Sequence, residues 1–192
     1  GKYEVIRHIA TGGMGAVYHA RDTQTDREVA LKILPPDLAA KPAMVVRFRR
    51  EYAAASKMQH ENIVELYELG ELNQTLYFAM EFVEGIDLHE HVKKNGPLDP
   101  EEARQIILQG ARALRHAAQH GVVHRDIKPS NFLLTRKNGK PFVKLTDFGL
   151  ARETSDDHYR VTRAGTTVGT IDYMSPEQAR DSGAADARSD LY

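Results

Sequence analysis

The sequence predicts an α+β protein in which residues 1–82 are rich in strands and residues 86–192 are rich in helix. Two observations support this prediction. Short β-branched and apolar runs alternate with polar turns in the front half, and a strongly capped helix begins at Pro100 in the back half. Residues 83–85 are expected to form a hinge. With 192 residues and 41% apolar content, the chain can form one domain with a core or two small lobes.

The front half contains a series of predicted strands with one helix among them. The strands are expected at residues 3–10, 16–21, 28–34, 63–69 and 75–83. Between the third and fourth strands, Met44, Phe48, Tyr52 and Met58 recur at helical spacing. This spacing predicts a helix that ends near residue 58.

The back half begins with the clearest helix of the chain. Asp99 is a predicted N-cap, Pro100 suits the first helical position, and Gly121 is a natural stop, so a helix is expected over residues 100–120. Two short strands at 132–135 and 142–146 then flank a turn. About thirty residues of loop composition follow, which is too long for a passive connection in a compact domain.

Composition excludes several classes of function. The chain has no cysteine, so disulfides, thiol catalysis and thiolate metal sites are excluded. Its net charge is −1, which gives no general attraction to nucleic acid. No apolar run approaches the roughly 18 residues of a membrane span. We therefore expect a cytoplasmic domain with no nucleic-acid partner and no membrane contact in this segment, although the full-length protein could be anchored elsewhere.

Two features of the front half suggest phosphate chemistry, and each has a plainer interpretation. A glycine-rich turn between two strands (residues 9–17) lets backbone N–H groups approach a phosphate chain, but it could be an ordinary hairpin turn. Lys32 lies among apolar strand residues and could be an exposed lysine with a buried stem. A functional lysine needs a carboxylate partner, and Glu51 on the predicted helix is the candidate. Glu51 could equally pair with arginines on its own helix.

The strongest signal is the segment 123–131, of sequence V-H-R-D-I-K-P-S-N, followed by D-F-G at 147–149 and Y-M-S-P-E-Q-A at 173–179. With these motifs in this order, the chain resembles eukaryotic-type (Hanks-type) protein kinases, and in detail their bacterial serine/threonine branch. The resemblance covers the whole chain. It implies a bilobal protein-kinase-like fold with an N-lobe antiparallel sheet plus one helix (1–82), a hinge (83–85) and a mainly helical, incomplete C-lobe (86–192).

The resemblance implies serine/threonine kinase activity and a role for each catalytic residue. Asp126 would accept the proton of the attacking hydroxyl, and Lys128 would lie near the transferred phosphoryl group. Lys32, oriented by Glu51, would hold the α- and β-phosphates of ATP. Thr170 would help to orient the substrate hydroxyl. Lys128 also favours serine/threonine specificity, since tyrosine kinases usually replace this lysine.

The resemblance also implies the nucleotide and metal contacts. Asn131 and Asp147 would bind Mg²⁺, or Mn²⁺ in its place. Val17, Ala30 and Leu133 would enclose the adenine, Met80 would stand behind it, and the backbone from Glu81 to Val83 would bond its edge. The glycine-rich turn would cover the phosphates, and its residues are Ile9, Ala10, Thr11, Gly12, Gly13, Met14, Gly15, Ala16 and Val17.

Regulation and partners follow from the same resemblance. Thr162, Thr166 and Thr167 lie in the activation loop and are candidate autophosphorylation sites. Arg125 precedes the proposed base, an arrangement that in the family pairs with a phosphorylated loop. The implied partners are ATP and proteins that carry serine or threonine, with a dimer as one route to autophosphorylation.

Three departures from the family pattern stand out. Ala10 replaces the first glycine of the glycine-rich loop, and Ser175 replaces the usual alanine before Pro176, a change that we expect to be harmless. The family's remaining C-lobe helices lie beyond Tyr192. We therefore expect Glu177 to lack its usual arginine partner, and the isolated chain to be poorly stable and weakly active.

Two other functions remain open from the sequence. A pseudokinase-like scaffold, or an inactive kinase fragment, would bind nucleotide without transfer, but such scaffolds usually lose Lys32, Asp126 or Asp147, and all three are present. A small-molecule kinase of related fold is disfavoured by the segment 169–177, which is typical of peptide docking in protein kinases.

Overall fold

The computed structural model describes residues 1–12, 15–73, 75–148, 172–180 and 185–192. The chain divides into two compact units. The first unit comprises Gly1–Gln59 and Val64–Glu84, and the second comprises His60–Ile63 and Gly85–Tyr192. Each unit has its own sheet and its own helices.

The first unit is built on a five-stranded antiparallel sheet in the order β1-β2-β3-β5-β4. The strands are β1 Tyr3–Gly12, β2 Gly15–Asp22, β3 Arg27–Ile33, β4 Leu66–Leu72 and β5 Thr75–Glu81. The first three and the fifth lie close to their predicted positions. The fourth begins three residues later than predicted. Ile63 belongs to the second unit, where it forms an isolated parallel bridge with Leu145 of the same unit.

The two faces of this sheet have different roles. Opposed residues of an antiparallel pair share a face, and on one face Ala20, Val29, Leu31 and Ala79 form a buried core cluster. On the other face, the Phe78 ring packs 4.9 Å from Phe48 of a helix, α2 (Pro42–Ala55). A single-turn helix, α1 (Pro36–Ala39), precedes α2. Since α2 ends at Ala55, the helix predicted to residue 58 stops about one turn earlier.

The second unit contains helices α3 (Leu88–Asn95) and α4 (Pro100–Gln119). The predicted start of α4 is confirmed: Asp99 is the N-cap, and its Oδ1 accepts a hydrogen bond from the backbone N–H of Glu101 at 2.9 Å. The buried residues of α4 recur at spacings of three and four, at Ile106, Gly110, Ala113 and Ala117. Burial of this stripe stabilises the helix.

A second sheet has the order β6-β7-β8, with strands Ile86–Asp87, Phe132–Lys137 and Lys140–Leu145. Asn138 and Gly139 form the two-residue hairpin turn between β7 and β8, and both have positive φ, 54° and 76°. Asparagine followed by glycine suits such a turn because these residues tolerate the left-handed region. The hairpin predicted here is therefore present, with longer strands than expected.

Short helices complete the described part of the second unit. They are the 3-10 helix Pro129–Asn131, the α-helix α5 Pro176–Arg180 and the 3-10 helix Ser189–Leu191. Sequence reasoning missed α3, although Asp87 caps it by accepting from the Glu90 backbone N–H at 2.9 Å. In the ranges that the structure describes, no helix has the length and apolar character needed to cross a membrane.

Glu68 of β4 bonds to residues at the start of β1, and β1 and β4 are the two edge strands of the first sheet. Its carboxylate forms an ion pair with Lys2 and accepts a hydrogen bond from the Tyr3 hydroxyl at 2.8 Å. Burial opposes ionisation of Glu68, but the hydrogen bonds from Lys2 and Tyr3 outweigh burial and lower the pKa of this carboxyl. The ionised carboxylate therefore stabilises the junction between the start of β1 and β4.

We expect Glu68→Gln to lower the free energy of unfolding at neutral pH, because a neutral amide replaces the ion pair. Since the folded-state pKa is lowered, this contribution is fully present above the unfolded-state pKa of about 4.3 and is lost as the pH falls through the folded-state value. Urea denaturation should therefore show a difference between wild type and variant that shrinks on acidification.

Glu71→Gln on the same strand is the control, since its carboxylate faces an exposed Arg49 at 3.7 Å. A difference for Glu68→Gln that is unchanged in acid would contradict the assignment.

Candidate active site

Lys32 and Glu51 form a buried ion pair in the first unit. Lys32 lies on β3, and Glu51 lies on α2, nineteen residues later. Nζ and Oε1 are 2.5 Å apart, and the side chains are only 7% and 3% exposed. The Phe78 ring lies beneath the ammonium group at 5.6 Å. Glu51 therefore pairs with Lys32, as the functional interpretation of this lysine requires.

The glycine-rich turn is described on both sides of Gly13 and Met14, which lie outside the described residues. Gly15 begins β2 with φ +136°, and a Cβ there would lie 2.1 Å from the Ile33 carbonyl oxygen, so only glycine fits. Ala10 is accommodated in β1, where it is paired with Val17. The exposed Ile9 and Thr11 lie on the same strand, whereas Ala16 is buried at the start of β2.

The register of the sheet places most of the predicted adenine contacts on the Lys32 face. Val17 is opposite Lys32, and Ala30 is opposite Met80, so these four side chains share one face. Ala30 and Met80 are buried and Val17 is half-buried. The face therefore presents apolar side chains next to an ammonium group.

The remaining predicted adenine contacts follow β5 or lie in the second unit. The Glu81 backbone N–H donates to the Glu65 carbonyl oxygen at 2.8 Å, so a donor to a base edge must come from a later residue of the segment, such as the half-buried Val83. Leu133 is half-buried on β7 of the second unit, where it is paired with Asp87.

The loop of residues 124–131, hereafter the Asp126 loop, carries three predicted site residues. The Asp126 Oδ2 atom accepts from Lys128 Nζ at 2.8 Å and from Asn131 Nδ2 at 3.2 Å. Asn131 Nδ2 also donates to the Asp126 carbonyl oxygen at 2.7 Å. Because both bonds use Nδ2, the Oδ1 atom of Asn131 is left to accept or to coordinate. The structure thus brings Asp126, Lys128 and Asn131 together.

His124 begins this loop and is completely buried. Its Nε2 lies 2.9 Å from the Thr146 carbonyl oxygen, and its Nδ1 accepts the Asp126 backbone N–H at 3.3 Å. A carbonyl only accepts, so Nε2 carries the proton. Burial lowers the pKa of His124, which favours the neutral ring. Phe148 packs edge-on against the imidazole at 4.7 Å.

Asp147 lies directly after β8 in a left-handed conformation, with φ +61°. The preceding residue, Thr146, donates its backbone N–H to the Asn131 carbonyl oxygen at 3.0 Å. This conformation is uncommon outside glycine, asparagine and aspartate. The backbone of the Asp126 loop therefore helps to determine where Asp147 lies.

Sequence reasoning missed Asp190, which anchors the Asp126 loop. The carboxylate is 6% exposed and accepts the backbone N–H groups of both His124 and Arg125, each at 2.7 Å. Arg125 has φ +66°, so its peptide needs such support. Asp190 lies 65 residues from Arg125 in the chain. The only sequence signal for it was the presence of an aspartate in the segment Ser189–Leu191.

Glu177 has a partner that the sequence did not indicate. Its Oε1 accepts a hydrogen bond from the Ser189 hydroxyl at 2.6 Å, and this bond is the main reason that the pKa of Glu177 is lowered. Glu177 therefore has a serine partner, and the expectation that it lacks its usual arginine partner stays a prediction. The bond joins α5 to the segment that carries Asp190.

Several predicted residues lie outside the described residues, namely Gly13, Met14, Thr162, Thr166, Thr167 and Thr170. Within the described ranges, no cluster of three or more His, Cys, Asp or Glu side chains could hold a metal ion. Asn131 and Asp147 nevertheless offer hard oxygen donors. This donor set fits Mg²⁺, which commonly uses one or two protein ligands together with substrate phosphates and water.

Comparison with known proteins identifies the family. Residues 3–192 match the family described as the protein kinase domain, so the chain belongs to that family. The protein kinase family predicted from the sequence is therefore confirmed.

Three similar curated relatives are bacterial proteins. Serine/threonine-protein kinase PrkC of Bacillus subtilis is 45% identical over the whole chain, and pkn3 of Myxococcus xanthus is 43% identical. PknB of Mycobacterium tuberculosis is 40% identical. The chain spans 29%, 36% and 30% of the lengths of these three relatives, respectively.

Solved structures confirm the predicted fold class. The PknI kinase domain of Mycobacterium tuberculosis matches with a TM-score of 0.74 and 34% identity. The match covers all of this chain and 70% of that chain. The α+β fold with an antiparallel sheet and helices is therefore protein-kinase-like.

We expect the Lys32–Glu51 pair to be strongly coupled in a double-mutant cycle. Lys32→Met and Glu51→Gln should each destabilise the fold, because each leaves the other buried charge with less compensation. The double variant should lose less than the sum, with a coupling free energy of about 0.5–3 kcal/mol by urea denaturation. The exposed Glu101–Arg104 pair is the control and should show little coupling. Additive losses at Lys32 and Glu51 would contradict this expectation.

We expect Asp190→Asn to lower the free energy of unfolding by about 1.5–3 kcal/mol, because the introduced amide group faces a backbone N–H donor. Asp186→Asn is the matched control in the same segment, since among the described residues its half-exposed carboxylate bonds only to neighbouring Arg188. Urea denaturation followed by intrinsic tyrosine fluorescence measures both. Equal losses in the two variants would show that Asp190 has no special anchoring role.

Proposed function

We propose that this chain binds ATP with Mg²⁺ and transfers the γ-phosphoryl group to serine or threonine hydroxyls of proteins. The observation that carries the proposal is the arrangement around Asp126, whose carboxylate oxygen accepts from both Lys128 and Asn131. A carboxylate held in this way can receive a proton, while the ammonium group beside it can stabilise a transferring phosphoryl group.

The nucleotide contacts are assigned to the residues that the family resemblance implies. Lys32, fixed by Glu51, holds the α- and β-phosphates, and backbone N–H groups of the glycine-rich turn cover the phosphate chain. The apolar side chains of Val17, Ala30 and Leu133 contact the adenine. Met80 stands behind the base, and the segment from Glu81 to Val83 bonds its polar edge.

Asn131 and Asp147 are the proposed metal ligands, through Asn131 Oδ1 and the Asp147 carboxylate. A Mg²⁺ ion held by these two residues would supply positive charge that offsets the charge of the phosphates. Mn²⁺ accepts the same oxygen donors and could replace it. Lys128 and Lys32 add positive charge from the protein itself.

The proposed reaction is a direct displacement at phosphorus. The substrate hydroxyl oxygen forms a bond to the γ-phosphorus while the bond from that phosphorus to the β,γ-bridging oxygen breaks, and ADP leaves with the electron pair. Asp126 receives the hydroxyl proton. Thr170 is assigned to orienting the substrate hydroxyl, and Lys128 favours serine and threonine substrates. The names of the relatives, which are serine/threonine-protein kinases, support this substrate class.

Regulation by phosphorylation is part of the proposal. Thr162, Thr166 and Thr167 are the candidate acceptors, and Arg125 is the candidate partner of the added phosphate. Two copies that phosphorylate each other provide one route to this modification. The requirement for ATP favours a cytoplasmic location for the domain.

We expect Asp126→Asn to reduce phosphoryl transfer by about 10²-fold or more, because the proton acceptor is lost. The assay incubates the full-length protein with γ-labelled ATP and Mg²⁺, with and without a protein substrate, and locates the label by mass spectrometry. Binding of MgATP should persist in the variant. The expected label lies on serine or threonine, including one or more of Thr162, Thr166 and Thr167.

The controls for this assay separate the alternatives. Glu102→Gln is the matched acid-to-amide control, on α4, where the half-buried Glu102 carboxylate accepts a hydrogen bond from Arg136. It should retain wild-type transfer. Magnesium-dependent ATP binding without transfer in the wild type would favour a scaffold, and transfer only to an added small molecule would favour a small-molecule kinase. Either result would overturn the proposal.

A further inference from the structure

Helix α5 begins with a reciprocal hydrogen-bonded cap. The Gln178 backbone N–H donates to Ser175 Oγ at 3.4 Å, and the Ser175 backbone N–H donates to Gln178 Oε1 at 3.3 Å. Ser175 is completely buried and Gln178 is 8% exposed. This is the S-x-x-Q capping box, with Pro176 at the first helical position. Ser175, which we expected to be a harmless replacement of alanine, therefore has a specific structural role.

The amide nitrogen of the Gln178 side chain bonds to a residue outside α5. Its Nε2 donates to the backbone carbonyl oxygen of Arg125 at 2.9 Å, 53 residues away in the chain. The backbone N–H of the same residue donates to Asp190. Arg125, which has positive φ, is thus bonded on both sides, by a carboxylate at its N–H and by an amide at its carbonyl.

We propose that Gln178 is a positioning residue that couples the N-terminal cap of α5 to the Asp126 loop. Its amide restrains the peptide between Arg125 and Asp126, and so sets where the Asp126 carboxylate lies. This inference rests on the proposed function, because it assigns Gln178 to the same phosphoryl-transfer site. Gln178 itself contacts no reacting atom.

The chemistry of the amide explains why glutamine suits this position better than glutamate. A capping box is satisfied by either residue, since only an acceptor oxygen is needed for the Ser175 N–H. The bond to the Arg125 carbonyl needs a donor, and an ionised glutamate has none. Gln178→Glu therefore preserves the cap and removes only the link to the Asp126 loop.

The test compares Gln178→Glu with Ser175→Ala in the full-length protein. Ser175→Ala removes the hydroxyl from the cap but leaves the Gln178 amide able to donate. We expect kcat to fall about tenfold in Gln178→Glu, equivalent to about 1.4 kcal/mol, with the Kd for MgATP within about twofold of wild type. Ser175→Ala should retain kcat within about twofold.

The pH dependence of kcat distinguishes the proposed hydrogen bond from a purely structural role of Gln178. When the introduced carboxyl group is protonated, it can donate to the Arg125 carbonyl again. The kcat of Gln178→Glu relative to wild type should therefore rise as the pH falls. A ratio that is independent of pH, or a Ser175→Ala variant with the same loss of kcat, would overturn the proposal.

Amide hydrogen exchange tests the coupling without using activity. Release of the Arg125 carbonyl frees the following peptide, so the Asp126 N–H should exchange about tenfold faster in Gln178→Glu and at the wild-type rate in Ser175→Ala. If the wild type transfers no phosphate, the proposed function fails, and exchange at Asp126 alone then decides the coupling. Unchanged exchange in Gln178→Glu would overturn it, whether or not the protein is a kinase.

Discussion

The left-handed backbone at Arg125 is the constraint on which the geometry of the Asp126 loop depends. A non-glycine residue in this region costs about 1–3 kcal/mol and persists only when its surroundings require it. Asp190 supplies two charge-assisted hydrogen bonds at 2.7 Å, to the N–H groups of His124 and Arg125. Without this carboxylate, the loop that carries Asp126 and Lys128 would lose the contacts that offset its strain.

In the first unit, a buried ion pair offsets the free-energy cost of burying a charged group. An isolated ammonium group at the position of Lys32 would be strongly disfavoured by burial, and Glu51 on α2 offsets that penalty. Strand register places Lys32 on the same face as Val17, Ala30 and Met80, so its ammonium group lies beside an apolar surface. This combination suits a ligand with an apolar ring and an anionic chain.

Local chemistry was the most predictable part of the fold and the site. The capped start of α4 and the hairpin turn at Asn138 follow from short-range rules. The residues alone left the partner of Glu51 open, and only the family resemblance implied its pairing with Lys32. Contacts between distant segments were not predictable in this way. Asp190 acts 65 residues from Arg125, and Ser189 supplies Glu177 with a partner that no local pattern indicates. The helix α3 was missed because its N-cap, Asp87, is also the last residue of the two-residue strand β6.

A common arrangement precedes both aspartates of the proposed site. Arg125 has its N–H bonded to Asp190 and its carbonyl bonded to Gln178, and Asp126 follows. Thr146 has its N–H bonded to the Asn131 carbonyl and its carbonyl bonded to His124, and Asp147 follows.

In each case, long-range hydrogen bonds restrain the peptide just before the carboxylate. Phosphoryl transfer depends chiefly on positioning and charge stabilisation, and catalytic groups need placement within about 0.5 Å. Restraint of the preceding peptide limits the motion of the carboxylate that follows it. Because His124 and Asn131 belong to the Asp126 loop, the two restraints are linked, and loss of the Asp190 anchor should disturb Asp147 as well as Asp126.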